Sequence, residues 1–245
     1  MTERLYYYDS FLSDFEAEVR EMLDSPRLAV VLDRSAFYPT SGGQVFDTGT
    51  ITTDAGAKLR VAEVADAEDG RVVHYIEAER DFDKAALKPG NRVRGQIDVT
   101  RRRDHMQQHS GQHVLSAAFI RLFNIPTVSF HMADEYCSID LDTPTLTKEQ
   151  IESAERLANE IILENRSVDV RFVTREEAGK LGLRKLPPTE RDELRLINIR
   201  DFDLCACGGT HVSQTGQIAS VLLRKVEKVR QGWRVEFVAG QRAAR

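Results

Sequence analysis

Through the first hundred residues, apolar and polar positions alternate in short runs. LAVVLD (28–33), GTITT (49–53), KLRVAEVA (58–65), RVVHYIEA (71–78) and RVRGQIDV (92–99) read as strands broken by DAG, EDG and KPGN turns. Their spacing predicts a small barrel or curved sheet. Upstream, Phe15, Val19 and Leu23 of FLSDFEAEVREML recur every four residues, which predicts a helix flanking the strands. Between the first two strands lies FYPTSGGQVFDTG (37–49). Its Gly42, Gly43 and Gly49 permit positive φ and a close backbone approach to a ligand, although a plain turn requires the same residues.

At Thr100 the period changes. RRRDHMQQHSGQHVLSAAFIRLF (101–123) carries Val114, Leu115, Ala118 and Leu122 at three- and four-residue intervals and predicts a helix. Beyond Pro126, TVSFHM (127–132) and YCSIDLD (136–142) predict a strand pair. TKEQIESAERLANEIILEN (147–165) predicts a long amphipathic helix, and VDVRFVT (168–174) another strand. KLPP and the charged TERDEL (185–194) form an irregular connection. LRLINI (194–199), the CACGGTH turn (205–211) and the strands IASVLLRKVEKV (218–229) and GWRVEFVAG (232–240) follow. The chain therefore reads as α+β, with a glycine-rich, β-barrel-like domain over residues 1–99 and an α+β domain over 100–245.

Composition narrows the class of protein. With 245 residues, 41% hydrophobic and 30% charged, the chain is that of a soluble globular protein. No stretch of roughly 18 consecutive apolar residues occurs, and the opening MTERLYYYDS lacks the order of a secretory signal, so a membrane role is not expected and a cytoplasmic location is. A net charge of -5 excludes a uniformly basic coat, so any nucleic acid must be held by a local patch. Two patches qualify: Arg101, Arg102 and Arg103, and a C-terminal run of Arg224, Lys225, Lys228, Arg230, Arg234, Arg242 and Arg245. Solvated faces can have the same composition.

The chemistry concentrates in histidine and cysteine. His105, His109 and His113 follow one another at intervals of four on the predicted helix and project from one face. In Cys205-Ala-Cys207-Gly-Gly-Thr-His211, a Gly-Gly turn lets a thiolate and an imidazole four residues apart face one ion. Soft sulfur with imidazole suits zinc, one ion per chain. Four protein donors fit a structural zinc, whereas a catalytic one usually keeps a position open. The spacing is compatible with displacement of one donor, with expanded coordination, or with an ion that positions substrate while another group activates water.

SGGQVFDTG, HSGQH and CGGTH together resemble the editing domain of alanyl-tRNA synthetase and its stand-alone AlaX-type relatives, from about Phe37 to Gly240. The resemblance implies metal ligation by His109, His113, Cys207 and His211, with His105 a neighbour one turn away. It also implies a zinc-binding editing domain after the barrel, and hydrolysis of mischarged tRNA(Ala), carrying serine or glycine, at its acceptor end. With no room for an aminoacylation domain, the expected activity is in trans. Gly42, Gly43, Gln44, Asp47, Gln112 and His131 are candidate substrate contacts, Asp47 for the ammonium group. Arg101, Arg102, Arg103, Arg224, Lys225 and Lys228 are candidates for tRNA. Backbone N–H groups of the Cys207–His211 turn or of Gly42–Gly43 are candidate oxyanion donors. Some synthetase editing domains carry a glutamine where this chain reads Val128-Ser129-Phe130-His131. Cys205 is expected in a packing or pocket role, Cys137 as a buried thiol and His74 as a surface or half-buried side chain. A zinc-stapled RNA-binding module without hydrolytic activity is the alternative.

Overall fold

The computed structural model describes residues 1–183 and 192–244. Most of the KLPP–TERDEL connection lies outside the described residues. The chain divides into two compact units, residues 1–41 with 45–103, and residues 42–44 with 104–245.

In the first unit, β1 (Glu3–Arg4) and β4 (Arg34–Ser35) form a short parallel pair. The remaining strands are β2 (Asp14–Leu23), β3 (Ala29–Leu32), β5 (Gly49–Thr53), β6 (Lys58–Asp66), β7 (Val72–Glu77) and β8 (Arg92–Ile97). They close a barrel in the order β2-β3-β7-β6-β5-β8, every pairing antiparallel. β2 replaces the expected helix. A four-residue recurrence satisfies a period of two as well as one of 3.6, and the alternation Phe15-Glu16-Ala17-Glu18-Val19 decides between them: Phe15, Ala17 and Val19 are buried inside the barrel.

Three polar residues inside this unit depart from expectation. Arg102 and Asp47 are each other's buried partner, at 2.5 Å. The Arg102 guanidinium also donates to the carbonyls of Ser10 and Ala36, and Asp47 also accepts from the Tyr38 N–H. With all three guanidinium nitrogens and both carboxylate oxygens engaged and buried, Arg102 is not available to RNA nor Asp47 to a substrate ammonium. His74 is likewise fully buried rather than at the surface. Its Nδ1 lies 3.1 Å from the Val30 carbonyl, which can only accept, so Nδ1 carries the proton and Nε2 accepts from the Ser35 hydroxyl at 2.7 Å.

The second unit contains most of α1 (Val99–Phe123), followed by β9 (Thr127–Met132), β10 (Cys137–Leu141), α2 (Lys148–Leu163), β11 (Val168–Thr174) and α3 (Arg175–Lys180). β12 (Glu193–Ile199), β13 (Asp203–Ala206), β14 (Val221–Val229) and β15 (Gly232–Ala239) complete it. Its strands form two sheets, β14-β15-β10-β9 and β11-β12-β13. Thr147 opens α2 with a reciprocal capping box to Gln150. α1 is buried continuously from His105 to Phe119 although more than half of those residues are polar. Such a helix persists only where its polar groups find partners. Gln108 meets both the N–H and the C=O of Ala239, acting as a strand neighbour at the end of β15, and Gln107 donates to the Gln217 carbonyl. Cys137 is a buried thiol, as expected, and burial pushes its pKa up to about 12.

Burial also pushes the His74 pKa down to about 4, against a smaller opposing effect of the Val30 hydrogen bond. The folded state thus resists a proton that the unfolded chain takes up near pH 6.5. This contribution to stability is complete above that pH and is lost as pH falls towards about 4, amounting to about 3 kcal/mol. Urea unfolding across this range should show the loss in the wild type and a flatter profile in His74→Gln. Identical profiles would contradict the assignment.

Candidate metal centre

The site joins one helix to one turn. A helix repeats every 3.6 residues, so His109 and His113 lie on the same face of α1, their ring centroids 5.3 Å apart. Cys207 and His211 belong to the turn after β13, and the Cys207 Sγ lies 3.3 Å from His211 Nε2. The turn carries its pair onto the helix pair: Cys207 Sγ is 3.4 Å from His109 Nε2, and the His211 ring centroid lies 4.5 Å from that of His109 and 4.6 Å from that of His113. One donor atom from each of His109, His113, Cys207 and His211 lies within 4.8 Å of the others, which makes the cluster able to hold a metal ion.

Gly209 permits the approach. A Cβ there would collide with Cε1 and Nδ1 of His109. Gly43, at φ +84°, admits Phe130 in the same way, since a Cβ would run into the Phe130 backbone and side chain. The Phe130 ring then packs 5.3 Å from that of His109.

Each imidazole is held at Nδ1 by a different partner. For His109 it is the Gln44 Oε1 at 2.8 Å, and for His211 the Ser110 hydroxyl at 3.1 Å. His113 Nδ1 faces Asp203 Oδ2 and Cys205 Sγ, both at 3.6 Å. Burial opposes ionisation of the Cys207 thiol, but the surrounding His109, His211 and His113 overcome it and hold its pKa well below the usual value. Burial also lowers His211 well below the ordinary imidazole range. At His113, burial is outweighed by Cys205, Asp203 and Cys207, and the pKa rises. A favoured thiolate beside imidazoles is the donor form that metals require, and one sulfur with three nitrogens fits zinc in type and number.

The other candidates are placed variously. Gln44 is fully buried, with both ends of its amide engaged, since its Nε2 donates to Thr210 Oγ1; a direct substrate contact is therefore not available to it. Gln112 flanks the two ligands on α1 and donates to Ser116 Oγ, which in turn bonds to Thr127 Oγ1 at 2.7 Å. His131 is exposed on β9, on the opposite face from Phe130, so it points away from the ligands. His105 is buried one turn before His109, outside the cluster. Three N–H groups of the turn are committed, those of Cys207 to the Arg195 carbonyl, Gly209 to the Cys207 sulfur and Thr210 to Gln44, which removes them as oxyanion donors. Sequence reasoning missed Ser110 and Asp203. Ser110 lies inside the HSGQH motif, but its partner His211 is 101 residues away.

Among the cationic candidates, Arg103, Arg224, Lys225 and Lys228 are exposed, while Arg101 donates to the Phe46 carbonyl. Lys225 is paired with Glu227, and Arg234 with Asp140. Among the described residues no carboxylate pairs with Arg224, Lys228 or Arg230. No helix among the described residues is long and apolar enough to cross a membrane.

Two family models match the chain. Class II (A) tRNA synthetases match at residues 4–101, and the threonyl and alanyl tRNA synthetase second additional domain at 194–235. Both point to the class of alanyl-tRNA synthetase relatives. The alanine–tRNA ligase of Pyrococcus furiosus is 35% identical over all of this chain, which spans only 26% of that enzyme. The alanyl-tRNA editing protein AlaX-M of Methanosarcina mazei is 34% identical over 93% of this chain and 92% of its own length. AlaX-L of Pyrococcus horikoshii is 32% identical over 99% of this chain and 59% of its own. The chain belongs to the AlaX family of alanyl-tRNA editing proteins.

Because the Gly209 position leaves no room for a methyl group, Gly209→Ala should displace the His109 ring and weaken divalent-metal binding by about 10-fold or more. Competition with a chromogenic chelator measures this, with circular dichroism reporting retention of the fold. Unchanged affinity in folded Gly209→Ala protein would contradict the geometry.

Proposed function

We propose that this protein is a zinc-dependent deacylase that hydrolyses mischarged tRNA(Ala) in trans, with serine as the principal amino acid removed. The observation that carries this reading is the convergence of His109, His113, Cys207 and His211 in a chain of the AlaX family. Zinc held by these four residues would supply Lewis acidity towards the ester carbonyl. The chain's own residues supply the rest. Phe130, packed on His109, and Gly43 against it form an apolar, close-fitting wall next to the ligands. The hydrogen-bonded series Gln112–Ser116–Thr127 provides a polar one.

A serine hydroxyl can join that series as donor or acceptor, whereas the methyl of alanine can do neither. Such a difference discriminates by as much as about 10⁴-fold. Arg103 in the first unit, and Arg224 and Lys228 in the second, are exposed and available to phosphates of the acceptor stem, and local groups of cations are what a chain of net charge -5 requires. Energy from those remote contacts orients the ester at the centre, so free serine esters should turn over slowly. The cytoplasm, where charged tRNA is used, is the corresponding location.

Purified protein should carry close to one zinc per chain by elemental analysis, and Cys207→Ala should lose most of it, because the thiolate contributes charge and softness. Deacylase activity in metal-free wild-type protein would overturn the zinc assignment. Single-turnover rates on alanine tRNA charged with serine, glycine or alanine test the substrate: serine should be released much faster than alanine. Equal rates would make the protein a nonspecific esterase, and no hydrolysis with intact tRNA binding would favour a zinc-stapled RNA-binding module.

A further inference from the structure

The carboxamide of Gln44 occupies an unusual position for a residue of a glycine-rich segment. It is fully buried and sits between the two halves of the metal cluster. Its Oε1 is 2.8 Å from His109 Nδ1 and 3.1 Å from the backbone nitrogen of Thr210, and its Nε2 is 2.9 Å from Thr210 Oγ1. The chemistry of these partners removes the usual ambiguity of amide orientation. A backbone N–H can only donate, so the end of the amide facing Thr210 N is the oxygen. The same oxygen faces His109, so His109 Nδ1 must carry a proton. The other ring nitrogen, Nε2, is the one 3.4 Å from Cys207 Sγ.

We propose that Gln44 is a positioning residue for the metal centre: it holds His109 in the Nδ1–H form, with Nε2 turned towards Cys207, and ties α1 to the Cys207–His211 turn through Thr210. This rests on the reading of the cluster as a metal centre. A hydrogen bond from the far nitrogen of a ligating imidazole fixes ring orientation and raises the basicity of the ligating nitrogen, and loss of such a partner typically weakens metal binding by about 10–100-fold. The neighbouring Gly43 explains how the carboxamide gets there. Its backbone approaches β9 so closely that Met132 N–H donates to the Gly43 carbonyl, and no side chain fits at that position. Gln44 is thereby anchored through the preceding residue as well as by its own three side-chain hydrogen bonds.

Two variants separate positioning from mere packing. Gln44→Met keeps the length and volume but removes both polar ends. Gln44→Glu keeps an acceptor for His109 Nδ1–H and for Thr210 N–H, while the Thr210 hydroxyl can donate to it instead of accepting. Zinc affinity measured by chelator competition should fall about 10–100-fold in Gln44→Met and stay within about 3-fold of wild type in Gln44→Glu. Long-range proton–nitrogen NMR of the histidine side chains should show His109 as the Nδ1–H form in wild type and Gln44→Glu, and a mixture of forms in metal-free Gln44→Met. Wild-type zinc affinity in folded Gln44→Met, or a wild-type His109 protonated at Nε2 alone, would overturn the proposal. Should Gln44→Met not fold, the wild-type tautomer and the Gln44→Glu affinity still decide it. Failure of wild-type protein to bind zinc at all would instead sink the metal reading itself.

Discussion

The organisation of the second unit follows from one requirement: four nitrogen and sulfur donors, from segments about a hundred residues apart, must meet in a space of a few ångströms. Imidazole and thiolate groups are costly to bury without partners. Here each has one. The helix holds two imidazoles in register by its pitch, and the glycine turn bends tightly enough to bring a thiolate and a third imidazole against them. Of the partners at Nδ1, Ser110 comes from α1 itself, Asp203 and Cys205 from β13 just before the turn, and Gln44 from the glycine-rich segment more than sixty residues away. The polar character of α1, a buried helix with few apolar faces, is a consequence of the same requirement.

Separate networks serve separate ends. In the barrel, Arg102 with Asp47 and His74 with Ser35 and Val30 are closed sets whose members satisfy one another. They fix the fold and offer nothing to a ligand. In the second unit, Gln108 and Gln107 do the same for α1. Gln112, Ser116 and Thr127 differ in starting from a residue between His109 and His113 in the chain, which is why the proposed recognition of a serine hydroxyl rests on them and not on the more conspicuous Asp47 or His131.

Much of this was legible in the sequence, and the remainder was hidden for identifiable reasons. Strands with clear alternation, such as Val168–Thr174, and the α2 helix were recognisable because their periods admit one reading. Phe15, Val19 and Leu23 fit two periods at once, and only the intervening Ala17 spoke for a strand. The candidate metal ligands were visible because each pair is local. The roles of Gln44, Asp47 and Arg102 were not, since their side-chain partners lie 55 or more residues away and sequence carries no distance between such positions. His131 was misplaced for a simpler cause: along a strand, neighbours face opposite ways, so a residue adjacent to Phe130 faces away from His109.

The account stands or falls on whether the four donors hold one ion together. X-ray absorption at the zinc edge of the purified protein addresses this directly. The geometry predicts one sulfur at about 2.3 Å and imidazole nitrogens at about 2.0–2.1 Å in a single environment. A spectrum without sulfur, or with oxygen donors in place of imidazole, would contradict it.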